Sequence, residues 1–313
     1  MHQFSIVTPT FNRATYLPRV YDCLCKQGNV DLEWIIVDDG STDNTREVVS
    51  GFEKKIEIKY IHKKNAGKPA AMNSGIQVAN SHILVSLDDD DIFCPDALKT
   101  VWGYFDIRTE KFCQGCICLS GLCQYENGDI IGKKFPHDYF ISDYIRYIKN
   151  KNIIGDKSEF YITNVVKRYP FPIFENEKNI APSIIVIRIA LTYKTLYLNR
   201  VLQEKQFLQG GLSTQNYWLM YPFSSELYYN EASTPPFRLK LQIKHSAKYI
   251  FFAKFNKKKH IFKKAKNKRV FPLGVLAYYL FSFRSFFNVF LTASKKNKEY
   301  KKYTSQNVSQ HHK

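Results

Sequence analysis

Short apolar runs rich in β-branched residues recur through the first ninety positions, at Phe4 to Thr8, Trp34 to Val37, Ile56 to Ile61 and His82 to Leu87. Between them, Tyr16 to Gln27, Thr42 to Phe52 and Pro69 to Val78 read as helices. A repeated β-α-β order whose strands are apolar on both faces predicts an α/β fold with a parallel, Rossmann-like sheet and right-handed crossovers. Ligands collect at the carboxyl ends of the strands in such sheets. Three of the four runs end there in polar, turn-forming segments: Pro9-Thr10-Phe11-Asn12-Arg13, Asp38-Asp39-Gly40-Ser41 and Asp88-Asp89-Asp90-Asp91. Later residues predict a hairpin over about 113 to 135, turning at Glu126-Asn127-Gly128-Asp129, and helices near Ser142 to Lys149 and Ser183 to Tyr193.

Charge divides the chain sharply. Residues 1 to 237 hold 26 Lys+Arg against 27 Asp+Glu, whereas 238 to 313 hold 20 against the single Glu299, so the formal net charge of +18 resides in the tail. The expected organisation is a domain over 1–237, with halves 1–112 and 113–237, and a basic, aromatic C-terminal extension over 238–313. The N-terminus enters its first apolar run with no basic leader and no cleavage site, which predicts a cytoplasmic protein. Seven cysteines include Cys113, Cys116, Cys118 and Cys123. Their segment alternates like a strand and lacks a paired second C-x-x-C, so core thiols are expected rather than zinc ligands.

Four adjacent carboxylates repel and raise one another's pKa, and holding them at a strand end favours a bound cation. Oxygen ligands suit Mg²⁺ or Mn²⁺. A solvated loop in which Asp91 or Asp96 caps the following helix is the plainer alternative. In the Asp38-Asp39 pair one carboxylate can accept hydrogen bonds from a base or ribose, Gly40 permits the turn, and Ser41 or Thr42 caps the next helix. Asn65-Ala66-Gly67-Lys68-Pro69 leads into a helix start where backbone N–H groups and Lys68 can meet a phosphate.

Taken together, IVTPTFNRATYL, WIIVDDGSTDNT, NAGKPAAMNSGI and VSLDDDDIFCPDAL resemble the family 2 glycosyltransferases, whose nucleotide-sugar-binding architecture is the GT-A fold, in order and spacing over roughly residues 3 to 105. The likeness continues through GDKSEFYITNVVKRYPFPIFENEK and NRVLQEKQFLQGGLS, which look like the second half of bacterial polysaccharide-assembling members. It implies an inverting transferase that moves a sugar from a nucleoside diphosphate sugar, uridine being the commonest base, to a saccharide or lipid-linked saccharide. The family's D-x-D motif falls on Asp88-Asp89-Asp90. Asp90 is then the ligand of Mn²⁺ or Mg²⁺, and Asp88 or Asp89 reaches the ribose, or the metal through water. Asp39, with Asp38 beside it, reads the base, and Pro9, Phe11 and Asn12 line the nucleotide pocket with Lys68 near the phosphates. Phe11 stands where relatives often carry Tyr. The general base falls in Phe174-Glu175-Asn176-Glu177-Lys178, with Glu177 preferred to Glu175 and the Asp156-Lys157-Ser158-Glu159 group as the other acidic candidate.

Two other classes fit less well. A nucleotidyltransferase should place a Gly-rich phosphate loop after strand one, and TPTFNR has no glycine. A nucleic-acid-binding module would use the basic tail but leave the aspartate run unexplained, and no nucleic-acid partner is expected. The apolar run Phe271 to Leu291, flanked by lysines and interrupted by Pro272 and Arg284, is expected to lie on an anionic membrane surface at the inner face rather than span it.

Overall fold

The computed structural model describes residues 1–105, 115–206 and 217–282. Four parallel strands, β1 (His2–Thr10), β2 (Leu32–Asp38), β3 (Glu57–His62) and β4 (Ser81–Ser86), stand in the order β3-β2-β1-β4. The helices between them are α1 (Leu17–Cys25), preceded by a 3-10 turn at Ala14–Tyr16, α2 (Thr45–Ser50) and α3 (Lys68–Val78). After β5 (Asp91–Phe93) and α4 (Ala97–Phe105) the sheet continues from β4 through β8 (Lys157–Ile162), β6 (Cys116–Tyr125) and β9 (Lys194–Lys205). β8 runs antiparallel to β4 and β6, β6 and β9 are parallel, and β5 and β7 (Tyr139–Ser142) both pair antiparallel with β9. The parallel expectation therefore holds for the first half, and the second half is mixed.

Alternation along β1 and β2 sorts their side chains between two layers. Phe4, Ile6, Trp34 and Ile36 face one core with Leu17, Val20 and Leu24 of α1 and Leu98 and Val101 of α4. Burying each such side chain contributes about 1.5 to 3 kcal/mol. Trp34 also donates its Nε1–H to Thr8 Oγ1 at 2.9 Å, so its polar edge is satisfied inside the layer. On the opposite face α3 lies against β1 and β2, with Gly75 over Val7 and Val37. Charged groups between the layers are paired: Glu33, fully buried, accepts from Ser5 Oγ and, at 2.5 Å each, from Lys59 Nζ and the Asn80 N–H.

Several local expectations are corrected. The 126–129 turn forms, with Gly128 N–H bonded to Tyr125 O at 2.9 Å, but no second hairpin strand follows it; β6 spends its edges on β8 and β9 and keeps only the Gln124–Ile130 bridge. The helix expected near Ser142 to Lys149 forms over 144–151, with a π-helical turn at Ile145–Lys149 and Ser142 ending β7 instead of opening the helix; after the short α5 (Thr163–Val166), the helix expected near Ser183 to Tyr193 forms as α6 (Ser183–Ala190). Neither Ser41 nor Thr42 caps α2, which starts at Thr45 with the Asp43 carboxylate accepting the Thr45 N–H at 3.2 Å. Cys116, Cys118 and Cys123 are buried in β6, and burial raises the Cys118 thiol well above its ordinary pKa; Cys113 lies outside the described residues.

The chain divides into compact units at 209/210. Position 237 falls inside the second unit, between α8 (Pro222–Ala232) and α9 (Leu239–Phe255), which pack on each other. That unit also holds α7 (Tyr217–Met220), α10 (Ile261–Lys264) and α11 (Phe271–Ser282).

A Cβ added to Gly75 would lie 2.4 Å from Val7 Cγ1 and 3.1 Å from Val37 Cγ2. Gly75→Ala gains about 1 kcal/mol of helix propensity, but overpacking against the β-branched Val7 and Val37 costs about 2 to 3 kcal/mol, the upper part of the usual range, so a net loss of about 1 to 2 kcal/mol is expected. Urea unfolding reads it, and an unchanged midpoint would mean that α3 lifts freely from the sheet.

Candidate active site

The site is assembled at the carboxyl ends of β1, β2 and β4, where the chain leaves the sheet in polar loops. Asn12, in the left-handed region at φ 53°, joins two of them: its Oδ1 accepts the Thr42 N–H at 2.7 Å, and its own N–H donates to Ser41 Oγ at 2.8 Å. Asn tolerates that backbone better than most residues. Pro9 is buried in β1 opposite Val37, and Phe11 projects from the loop, 45% exposed.

Asp38 and Asp39 divide the work at the end of β2. Asp38 is internal: its Oδ1 takes the Ser41 N–H at 2.7 Å, and its Oδ2 takes Tyr60 Oη at 2.5 Å with His62 Nδ1 at 3.2 Å. Burial alone would raise this carboxyl, but those hydrogen bonds hold it below its ordinary value. Asp39 reaches the third loop instead, accepting the Ala66 N–H at 3.0 Å, the Gly67 N–H at 2.6 Å and Lys63 Nζ at 3.1 Å. Gly67, at φ 91°, in turn lets the backbone of Lys178 close in, and Lys178 O accepts the Lys68 N–H at 3.1 Å.

The aspartate run separates into two directions. Asp89 turns inward, accepting Thr10 Oγ1 at 2.8 Å and Arg13 Nη1 at 2.5 Å. Burial, outweighing Arg13 and Thr10, pushes its carboxyl up to about 6. Asp88, Asp90 and Asp91 converge, with one carboxylate oxygen from each within 4.8 Å of the others. Lys68 Nζ lies 2.7 Å from Asp88, Arg13 Nη1 2.8 Å from Asp90, and Lys205 Nζ 2.6 Å from Asp91, which also accepts Gln203 Nε2 at 2.9 Å. Burial would raise Asp88, but Lys68 and Lys205 bring it down to about 2, whereas burial wins at Asp91 and lifts it to about 6. Three converging carboxylates form a hard, all-oxygen set that fits Mg²⁺ or Mn²⁺, with coordination positions left for phosphate oxygens or water. Asp91 is thus part of the cluster and not a helix cap. A second trio, His2, Glu33 and Glu57, lies at the other end of the strands, where Lys59 already neutralises Glu33.

A cavity of about 640 Å³ opens beside this cluster, with Lys68, Asp88 and Lys205 among its walls and Glu159 and Tyr161 of β8 in its lining. Tyr161 Oη donates to Glu159 Oε2 at 2.6 Å, and burial raises the Glu159 carboxyl. Glu177 is buried and bridged to Phe174, in the segment that meets the Gly67–Lys68 backbone; Glu175 is exposed. Asn179 and Ile180, just beyond, reach the cavity wall.

The model of glycosyl transferase family 2 matches residues 5–161, half of the chain and every loop described above except the 174–178 segment. The chain belongs to this family. Relatives include chondroitin synthase of Escherichia coli, 32% identical over 167 residues (52% of this chain, 22% of that protein), and an uncharacterised glycosyltransferase of a Nostoc species, 35% identical over 101 residues (32% and 31%). The matching stretches thus span less than a third of those proteins. Among solved structures, S. aureus TarS 1-349 in complex with UDP-GlcNAc superposes with a TM-score of 0.63 at 18% identity, over 88% of this chain and 79% of that one. That likeness establishes the GT-A fold.

Sequence reasoning did not find Arg13, Asp91, Gln203 or Lys205. Arg13 stands within a matched motif but pairs with carboxylates more than seventy residues away. Gln203 and Lys205 alternate along an ordinary strand, and only the β5–β9 register brings them to Asp91. The 65–68 loop itself makes a sharp expectation. A Cβ on Gly67 would sit 2.2 Å from Lys178 O, at a φ that other residues rarely adopt. Gly67→Ala is expected to cost at least about 2 kcal/mol and to free the 174–178 segment, read as lower thermal stability and faster proteolysis near Lys178. Wild-type values for both would show that the contact is dispensable.

Proposed function

We propose that this protein is an inverting glycosyltransferase that moves a sugar from a nucleoside diphosphate sugar, with uridine the favoured base, to a saccharide or lipid-linked saccharide acceptor in cell-surface polysaccharide synthesis. The observation that carries the reading is the convergence of Asp88, Asp90 and Asp91 at the strand ends, beside a cavity large enough for a sugar. Residues 1–112 supply the donor side, and the later strands of the first unit, β6, β8 and β9, the acceptor side.

Asp39 reads the base, with Pro9 and Phe11 walling its pocket, and Asp88 faces the ribose. Asp90, with Asp91, holds Mn²⁺ or Mg²⁺, and a cation there offsets the charge that develops on the departing diphosphate. Lys68 adds a positive charge on the same side. Glu177 accepts the proton of the acceptor hydroxyl as its oxygen attacks the anomeric carbon. One C–O bond forms and the bond to the diphosphate oxygen breaks on the opposite face, which inverts the configuration.

Asp90→Ala is expected to lose metal-dependent UDP binding and donor turnover together. Glu177→Gln should keep UDP affinity while turnover falls by roughly 10²-fold or more. Calorimetry with UDP and Mn²⁺, beside nucleotide release from a panel of nucleotide sugars, measures both. Full activity of Asp90→Ala in excess chelator removes the metal from the mechanism, and the Glu177 signature appearing in Glu175→Gln moves the base by two residues.

The second unit supports a peripheral position on an anionic membrane at the cytoplasmic face. Among the described residues no helix is long and apolar enough to cross a bilayer. α11 packs Gly274 against Ser246 of α9 while Leu273, Leu276, Tyr279 and Leu280 are 45 to 69% exposed, and Lys254 lies 4.5 Å from the Tyr278 ring. An apolar face rimmed by cations suits headgroups above and acyl chains below, at about 1 kcal/mol per engaged basic residue. Residues 283–291 of the apolar run, Arg284 included, lie outside the described residues. The full chain should sediment with phosphatidylglycerol vesicles at low salt, and the double change Leu276→Glu, Leu280→Glu should weaken this at least tenfold. Binding that ignores both salt and the double change would overturn this reading.

A further inference from the structure

Four aspartates, formally −4, are met by three side-chain cations: Arg13, Lys68 and Lys205. Arg13 stands on the loop after β1 and Lys68 at the first position of α3. Lys205 is tied more directly to its partner, because the backbone pairing Asp91↔Lys205 fixes the two residues opposite each other across β5 and β9. The pair is withdrawn from water, with side-chain exposures of 4% for Asp91 and 21% for Lys205. Both Lys205 Nζ and Gln203 Nε2 are spent on one oxygen, Asp91 Oδ2. A divalent ion among Asp88, Asp90 and Asp91 would meet an ammonium already seated on one of its own ligands, and two cations on one carboxylate repel each other.

We propose that Lys205 is an intramolecular placeholder for the divalent metal, neutralising Asp91 while the site is metal-free and competing with the ion for that carboxylate. The inference rests on the metal-dependent reading above. Held this way, the acidic cluster folds without metal, and the metal-free site resists a bare ion. A nucleoside diphosphate brings negative charge that the displaced ammonium can meet, so metal and nucleotide tighten each other's binding by the same factor.

Mn²⁺ is titrated alone and then with UDP into the full chain and its Lys205→Met and Lys205→Arg variants, with free Mn²⁺ followed by its electron paramagnetic resonance signal. Lys205→Met is expected to bind Mn²⁺ alone at least tenfold more tightly than the wild type, with a smaller gain on adding UDP, and Lys205→Arg to stay near the wild type. A folded Lys205→Met with unchanged or weaker Mn²⁺ affinity overturns the placeholder. The wild type supplies a reading that needs no variant: trace acetylation of Lys205, normalised to Lys59, should run at least threefold faster in saturating Mn²⁺ than in chelator, and an unchanged or slower rate overturns the proposal even where Lys205→Met does not fold. A wild-type chain that binds Mn²⁺ neither alone nor with UDP overturns both this proposal and the metal-dependent reading. Binding that appears with UDP but is indifferent to Lys205 overturns the placeholder alone.

Discussion

Four adjacent carboxylates at the end of a buried strand must be neutralised before the sheet that presents them can be stable. The structure meets that demand with cations drawn from three separate places: Arg13 after β1, Lys68 at the start of α3, and Lys205 at the end of β9. Lys205–Asp91 is the most enclosed of these pairs on both sides, and removing one partner of a buried pair commonly costs about 3 to 5 kcal/mol, because the charge left behind is uncompensated; the partly exposed Lys68–Asp88 pair is screened by water. The ion pairs therefore fasten the first loop, the third loop and the far half of the sheet to one point. The Asp39 carboxylate does the same with backbone donors, tying the end of β2 to Ala66 and Gly67. Catalytic geometry and loop order are one network.

That network explains what could be read in advance. The strands and helices of the parallel half were legible because β1, β2 and β4 are apolar, buried runs that end in turn-forming residues, so local pattern and fold agree. The aspartate run was legible as a site for the same reason. Which of its members converge was not, since the run is a turn, closed by Asp91 N–H to Asp88 O at 3.1 Å, and does not alternate as a strand would. Asp89 goes to Thr10 and Arg13, and Asp91, held by the pairing of β5 with β9, comes back to Asp88 and Asp90. The hairpin expected after Tyr125 failed on similar grounds: its turn is local, but the partners of β6 lie some forty and eighty residues further along.

Polar residues that looked ligand-directed also proved to have internal work. Asn12 staples two loops, and Asp38 is consumed by Ser41, Tyr60 and His62. Such residues shape the strand-end loops by fixing backbone, which is the usual relation between a site's contact residues and their supports. A side chain's chemistry could be read from sequence here, but not which neighbour claims it.

The family match ends at Tyr161, where the cavity wall is only half built. Ser86, Asp88, Glu159 and Tyr161 come from within the matched stretch, whereas Phe171, Asn179, Ile185 and Lys205 come from beyond it. The strands and loops that gather the carboxylates thus lie within the family match, while much of the opposing wall lies beyond it. The first half of the sheet is parallel and continuous, and it carries the loops that hold the carboxylates. Its second half is mixed, with a register shift between Ser120 and Leu122 and a π-helical turn at Ile145–Lys149, so the wall built on it departs from the regular β-α-β pattern by which the first half could be read.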